Sequence, residues 1–481
     1  MSRPRAQPSR WRSFRPARWS RSRRSLPSEI EEYVRSLGLD AYVVGGAVRD
    51  ELLGAEAKDA DFLVPAIDIA GLRAALTPHG RTEELVVAGR PVGVRHFPTD
   101  RELRKRVPAG IELAPPRREV STGPGRHDFE IVVDPTATVE EDLERRDFTV
   151  NAMARRLDDG TLVDPFDGRG DLTRKQLRTV SPRSFAEDPL RLVRGLRFVS
   201  QLAFDLEPET LQQMRENAES VQLVSGERIG GGLAADGLGE LSKLLLGAHP
   251  SRALAVARDT GVLVALIPEF GPAFTHDPES PDHAMSTGNH ILAVVQAAAD
   301  IGAPLRVRLA TLFHDLGKPS GAPDHAAAGA EIADEALQRF RYPTDVRRRV
   351  VELVRIHPFH LEPAQTLGPL DARRLLAAYG EGLVLDLLDH WEADVRGRDV
   401  TPRSTAKLEE LARFRPIVQA ELGSPHRLSD LAIDGTDLIE LGVEPGPQLG
   451  KILDMLLRDV VENPSLNTRD VLIARATELL T

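Results

Sequence analysis

Residues 42–64 read YVVGGAVRDELLGAEAKDADFLV, and this stretch restricts the fold more than any other. Tyr42, Val43 and Val44 form a short apolar strand, the Gly45-Gly46 pair permits a tight turn close to a ligand, and Ala47 to Leu53 has helix-forming composition. Backbone N–H groups at the helix start, with Arg49 in its first turn, make a seat for a triphosphate. From Lys58 the chain turns extended again. Strand alternation then puts Asp59 and Asp61 on one face, about 7 Å apart along the backbone, and Ala60, Phe62 and Val64 on the other. A diglycine turn alone is ordinary, and a lone Asp-x-Asp is usually a solvated strand end. In this order, two carboxylates beside a phosphate seat describe a Mg²⁺ site for nucleotidyl transfer.

The string GGxVRDxLLGxxxxDxD, formed by Gly45 to Asp61, resembles the signature of class II tRNA nucleotidyltransferases, the CCA-adding enzymes, and of the related bacterial poly(A) polymerases. The resemblance implies a multidomain α+β protein. Its head, residues 28–175, would hold a small mixed β-sheet; a helical neck (176–275), a body (276–400) and a helical RNA-binding tail (401–481) would follow. The implied reaction is template-independent addition of C, C and A to the 3′ end of tRNA from CTP and ATP. Addition of A alone, or poly(A) synthesis, uses the same head motifs and stays open.

Composition sets the outer bounds. At 481 residues, three to five compact units are expected. The absence of cysteine excludes disulfides and thiolate chemistry and fits a reducing, cytoplasmic setting. No apolar run reaches the roughly 20 residues that span a bilayer, so no membrane partner is expected. Net charge is −11, yet residues 1–26 hold nine arginines and no acid, so the rest of the chain carries −20. RNA must therefore be held by local basic faces. The Arg-rich segment, residues 1–27, has no hydrophobic period and is expected to be disordered: an extension with no function, an RNA-grasping arm or a targeting peptide. No feature of the sequence reports the number of subunits.

Along the head, Ser28 to Leu37 reads as a helix, and Gly110 to Arg117 as a strand that breaks at Pro115-Pro116. The resemblance makes Glu112, five residues before Arg117, a third catalytic acid beside the Asp pair; Asp128 or Glu130 is the alternative contributor. Arg145-Arg146-Asp147-Phe148-Thr149 belongs to an RRDFTxNA string. On spacing alone the two arginines are merely exposed, whereas by the resemblance Arg146 contacts the triphosphate and Asp147 the ribose hydroxyls. Residues 161–180 suggest a hairpin turning through Asp164-Pro165-Phe166-Asp167-Gly168.

In the neck, Asp188-Pro189 starts a helix whose Leu190, Val193, Leu196 and Phe198 form a buried stripe beside Arg191, Arg194 and Arg197. The family resemblance assigns base reading to Asp188 and Arg191, and phosphate contacts to Arg194 and Arg197. An acid accepts from an exocyclic amino group and an arginine donates to ring acceptors, which favours C and A.

Further on, His314-Asp315 ends an apolar helix, with His290, His325, His357 and Asp394 at intervals around it. This pattern resembles an HD phosphohydrolase domain. The resemblance implies that His290, His314, Asp315 and Asp394 ligate a divalent ion such as Mn²⁺, Ni²⁺ or Mg²⁺, with His325 and His357 near a second ion or the phosphate; phosphatase and 2′,3′-cyclic phosphodiesterase activities go with it. A hydrolase with an RNA-binding head is the competing reading from another class. In the tail, Ile452, Met455 and Leu456 mark an amphipathic helix after Pro445-Gly446-Pro447.

Overall fold

The computed structural model describes residues 26–55, 61–87, 89–121, 129–231, 237–277, 285–358 and 366–480. The Arg-rich segment through residue 25 lies outside them. The chain divides into two compact units. The first extends to residue 172, except for residues 147–149, which join residues 173–481 in the second.

Among its described residues the first unit contains β1 (Tyr42–Val44), β2 (Asp61–Leu63), β3 (Gly80–Val87), β4 (Arg90–Pro98), β5 (Ile111–Ala114), β6 (Arg117–Ser121), β7 (Phe129–Val133), β8 (Ala154–Arg156) and β9 (Leu162–Val163). Seven of these form a mixed sheet in the order β3-β4-β5-β2-β1-β8-β9. Within it β2 and β5 run parallel, and the other neighbours are antiparallel. Register decides which residues share a face. Val43, Phe62, Leu113 and Val94 lie in one row across four strands, and all four are buried. Leu72 and Leu76, one turn apart on the helix Ile69–Leu76, are buried too, and that helix packs on β4. The adjacent row, Val44, Asp61, Glu112 and Arg95, points to the opposite face. The candidate acids therefore sit on the sheet face turned away from the Phe62 row.

The strand expected before Pro115 forms as β5 and stops where prolines remove ladder donors; the chain resumes as the β6–β7 hairpin. The hairpin expected across residues 161–180 does not form. Instead β9 pairs back onto β8, and the Asp164 carboxylate accepts from the backbone N–H groups of Gly168 (2.7 Å) and Arg169 (3.0 Å). That side chain starts the helix Gly168–Arg174. Turn residues announce a change of direction, but the same Asp chemistry caps a helix as readily as it closes a hairpin.

The second unit is mainly helical. Its helix Leu190–Leu202 buries the expected Leu190, Val193, Leu196 and Phe198, and Arg191 with them. Gly195 allows the Phe148 ring to approach, since a Cβ there would lie 2.9 Å from it. Helix-on-helix packing then runs from Leu190–Leu202 to Pro250–Asp259, Thr287–Asp300, Pro369–Arg396 and on to Pro402–Glu421 and Pro447–Glu462. Because this packing has no break, the boundaries expected near residues 275 and 400 fall inside one unit. In the tail, Ile452, Leu456 and Val460 join Leu438 and Leu472 in an apolar cluster. Met455, expected among them, is exposed, because the buried positions recur every fourth residue and Met455 lies off that row. Among the described residues no helix is long and apolar enough to cross a membrane.

Candidate active site and a second metal-type centre

Asp61 opens β2 and is exposed. Its register partner on one side is Val44, the residue before the diglycine turn; on the other side it is Glu112 on the parallel strand β5. Residues in register on neighbouring strands project side by side about 5 Å apart, so both carboxylates stand on one face next to the turn. Hard oxygen donors so arranged suit an ion such as Mg²⁺. Asp59 lies outside the described residues, as do Asp128 and the side chain of Glu130. Glu112 is also held by Arg95, whose Nε and terminal nitrogen lie 3.2 and 2.5 Å from its Oε1.

Gly45 adopts φ +73°, in the region that favours glycine, and donates its N–H to the Met153 carbonyl. A Cβ at this position would lie 2.7 Å from the Arg146 guanidinium. Gly46 begins the helix Gly46–Leu52, and Arg49 on that helix bonds the Asn151 side chain (2.7 Å) and Asp50 (2.8 Å). Gly45→Ala is expected to lower the stability of the first unit by about 1–3 kcal/mol. Urea denaturation would measure this; an unchanged midpoint would mean that the turn relaxes without strain.

Arg145 and Arg146 are not the exposed pair that spacing alone suggests. Asp142, fully buried on the helix Val139–Glu144, accepts from Arg145 (2.9 Å), Arg146 (3.3 Å) and the Arg117 backbone N–H (3.2 Å). Burial pushes the Asp142 carboxyl up, but Arg145, Arg146 and Arg117 together hold it below the usual carboxylate range. Burial, then Arg145, push the Arg117 guanidinium down to about 10 against the opposing pull of Asp142 and Asp61. Three guanidiniums around one carboxylate leave excess positive charge near Gly45. Asp142 at i−3 and i−4 from the Arg pair was a readable helix signal for this cluster.

In the second unit, Asp147 accepts from the Phe148 N–H (2.8 Å) and from Arg194 (2.8 and 2.6 Å). Arg194 and Arg197 converge on the buried acid Glu240 at 3.5 and 2.9 Å. The expected arginine ladder is thus partly neutralised. Arg191 is buried against Ser184 (3.0 Å) and Glu187 (3.4 Å). Asp188 accepts from the Leu190 N–H (3.1 Å) and from both terminal nitrogens of Arg228 (3.2 and 2.8 Å). Sequence reasoning missed Glu240 and Arg228, which lie some 40 residues from the motif they contact, with nothing in their local pattern to mark them.

The second unit also gathers every residue of the His-Asp set. His290 Nε2 lies 3.0 Å from Asp394 and 3.7 Å from Asp315; His314 Nε2 lies 3.3 Å from Asp315 and 3.8 Å from Asp394. His325 and His357 reach the other Asp315 oxygen at 3.7 and 3.6 Å. Two donor triads therefore share Asp315: one with His290 and His314, one with His325 and His357. Lys318 donates to the Asp315 oxygen that His290 and His314 face, and Arg398 to the Asp394 oxygen turned away from them, each at 2.6 Å. Burial pushes both carboxyls up, but the facing histidines and these cations hold them well below the usual range.

The donor set fits a metal ion. His314 Nδ1 lies 2.8 Å from the Thr311 carbonyl and His357 Nδ1 lies 2.6 Å from that of Val354. A carbonyl only accepts, so each Nδ1 donates there and Nε2 is the nitrogen left for the centre; burial pushes the His314 pKa down. The two Nε2 atoms face Asp315 oxygens at 3.3 and 3.6 Å, an arrangement that would suit a divalent cation held between them.

Residues 41–178 match the family described as the Poly A polymerase head domain, 203–274 that described as "Probable RNA and SrmB- binding site of polymerase A", and 326–476 that described as "tRNA nucleotidyltransferase domain 2 putative". The chain is 40% identical over 329 residues to the Multifunctional CCA protein of Azoarcus sp., covering 66% of this chain and 73% of the relative. It is 35% identical over 439 residues to that of Methylococcus capsulatus, covering 87% and 93%. In fold it is similar to the CCA-adding enzyme of Bacillus stearothermophilus solved with CTP, with a TM-score of 0.64 at 24% identity over 94% of this chain and 96% of that one.

Proposed function

The chain belongs to the class II CCA-adding tRNA nucleotidyltransferase family, and from that premise we propose that it adds C, C and A to the 3′ end of tRNA, using CTP and ATP without a nucleic-acid template. The observation that carries this reading is the row Val44-Asp61-Glu112, which sets two carboxylates beside the Gly45 turn and near the Arg117-Arg145-Arg146 cluster. Asp61, with Asp59 and Glu112, would hold a divalent ion, Mg²⁺ in this reading. When bound, such an ion lowers the pKa of the attacking hydroxyl and offsets charge on the α-phosphate.

The protein's own groups supply position. Gly45 and Gly46 let the backbone approach the triphosphate, and Arg49 and Arg146 bind its outer phosphates. Asp147 takes the ribose hydroxyls, Asp188 and Arg191 read the base, and Arg194 and Arg197 hold phosphate. Residues 401–481 bind the tRNA. The working compartment is the cytoplasm.

Transcripts of tRNA that end before CCA test the reading directly. CTP alone is expected to add two nucleotides, and CTP with ATP three. Incorporation of ATP alone into long tails would replace this reading with poly(A) synthesis.

A second activity has its own support. The shared-Asp315 triads, which set imidazole nitrogens against carboxylate oxygens, suit Mn²⁺, Ni²⁺ or Mg²⁺ and a metal-dependent phosphohydrolase acting on phosphomonoesters or 2′,3′-cyclic phosphates.

A further inference from the structure

We propose that His390 is a nitrogen ligand of the His-Asp centre, adding a fifth imidazole to it; the inference rests on the metal-centre reading of that cluster. His390 lies on the helix Pro369–Arg396 one turn before Asp394, hence on the same face as that carboxylate. Its ring stands 5.4 Å from that of His314 in one triad and 5.5 Å from that of His357 in the other. Both neighbours spend one nitrogen on a backbone carbonyl, so their remaining nitrogens are committed to the centre.

The unusual feature of His390 is its lack of a hydrogen-bond partner among the described residues. Six histidines are buried among the described residues. His96 bonds Tyr33, His290 bonds Asp394, His314 and His357 bond carbonyls, and His426 bonds the Ser424 carbonyl. His390 is fully buried, and among the described residues neither of its ring nitrogens is hydrogen-bonded. An unpaired buried polar group is destabilising, and a leucine would fill the same core position without that cost. With neither ring nitrogen engaged among the described residues, a nitrogen is left over for an ion. Five imidazoles and two carboxylates make a donor set that prefers Co²⁺ or Zn²⁺ to Mg²⁺.

Chelator-stripped full-length protein would be titrated with Co²⁺, following visible absorption and the thermal midpoint. The unaltered protein is expected to develop d–d bands and a higher midpoint. His390→Leu should bind Co²⁺ at least about tenfold more weakly, with altered bands and a smaller rise. Its metal-free midpoint should equal or exceed that of the parent, because the unpaired nitrogens are gone. His390→Gln serves if the leucine variant does not fold. Unchanged Co²⁺ affinity and bands would overturn the inference and make His390 a histidine satisfied by buried water. A lowered metal-free midpoint with a full Co²⁺ increment would overturn it in favour of a packing role. If the parent protein itself bound no Co²⁺, the metal-centre reading would fall first, and this inference with it.

Discussion

Asp61→Ala is expected to reduce CTP and ATP incorporation into tRNA by about 10³-fold or more while metal-dependent phosphatase activity persists. The size follows from the role assigned to Asp61. An ion that offsets charge at the reacting phosphate is worth several kcal/mol, and each 1.36 kcal/mol is a factor of ten in rate. Folding should be little disturbed, because Asp61 is exposed at the first position of β2 while Phe62 and Leu63 carry the buried contacts of that strand. Glu112→Gln gives a graded comparison. Its carboxylate is shared with Arg95, so losing it removes part of the ion's donor set and also frees a guanidinium. Its effect on kcat should be smaller than that of Asp61→Ala. Retention of full addition activity by Asp61→Ala, in protein with an unchanged thermal midpoint, would refute the assignment of the head as the catalytic part. The competing hydrolase reading would then take its place.

What could be read from the sequence was whatever its local pattern determines. The strand, diglycine turn, helix and second strand between Tyr42 and Leu63 follow from composition and alternation, and β5 stops at Pro115 for a reason visible in two letters. The six His-Asp residues were legible through an adjacent His-Asp pair at a helix end and its resemblance to an HD domain, and tertiary packing brings them together. The partners were not legible. Arg194 and Arg197 looked like open cations because Glu240, which partly neutralises them, is 43 residues beyond Arg197. Asp188 looked like a simple cap, and it does accept the Leu190 N–H, but nothing in the ERI string around Arg228 marks a guanidinium that clasps the same carboxylate. His390 went unnoticed because a histidine in an apolar helix is ordinarily core. Only its burial beside two other imidazoles distinguishes it. Asp164 and Met455 are errors of another kind, where a turn residue and an apolar residue each fitted two local patterns and the packing selected one.

The largest effect expected in the second unit belongs to Asp315, because both triads depend on its two oxygens. Asp315→Asn keeps the shape and replaces a carboxylate with an amide, so packing around the fully buried side chain is preserved while negative charge is lost. Substitutions that only disturb the orientation of a metal ligand weaken binding about 10- to 100-fold. Removal of a bridging donor should exceed that range for Co²⁺ and abolish phosphatase activity, with CTP and ATP addition unchanged. Lys318, at 2.6 Å from Asp315 and partly exposed, can turn to solvent, so a gross loss of stability is not expected. The pH response gives an independent check. A bound ion requires neutral imidazoles, so protons compete with it, and affinity in the parent protein should fall as pH drops below the ordinary histidine range. His325 is the most exposed histidine of the set, and burial first, with His357 and Lys318 and against the pull of Asp315, holds its pKa below the ordinary value. Weakened binding therefore sets in only at mildly acid pH. If Asp315→Asn binds Co²⁺ as tightly as the parent, with the same acid-side loss, the ion is held elsewhere and the shared-carboxylate centre is a structural cluster.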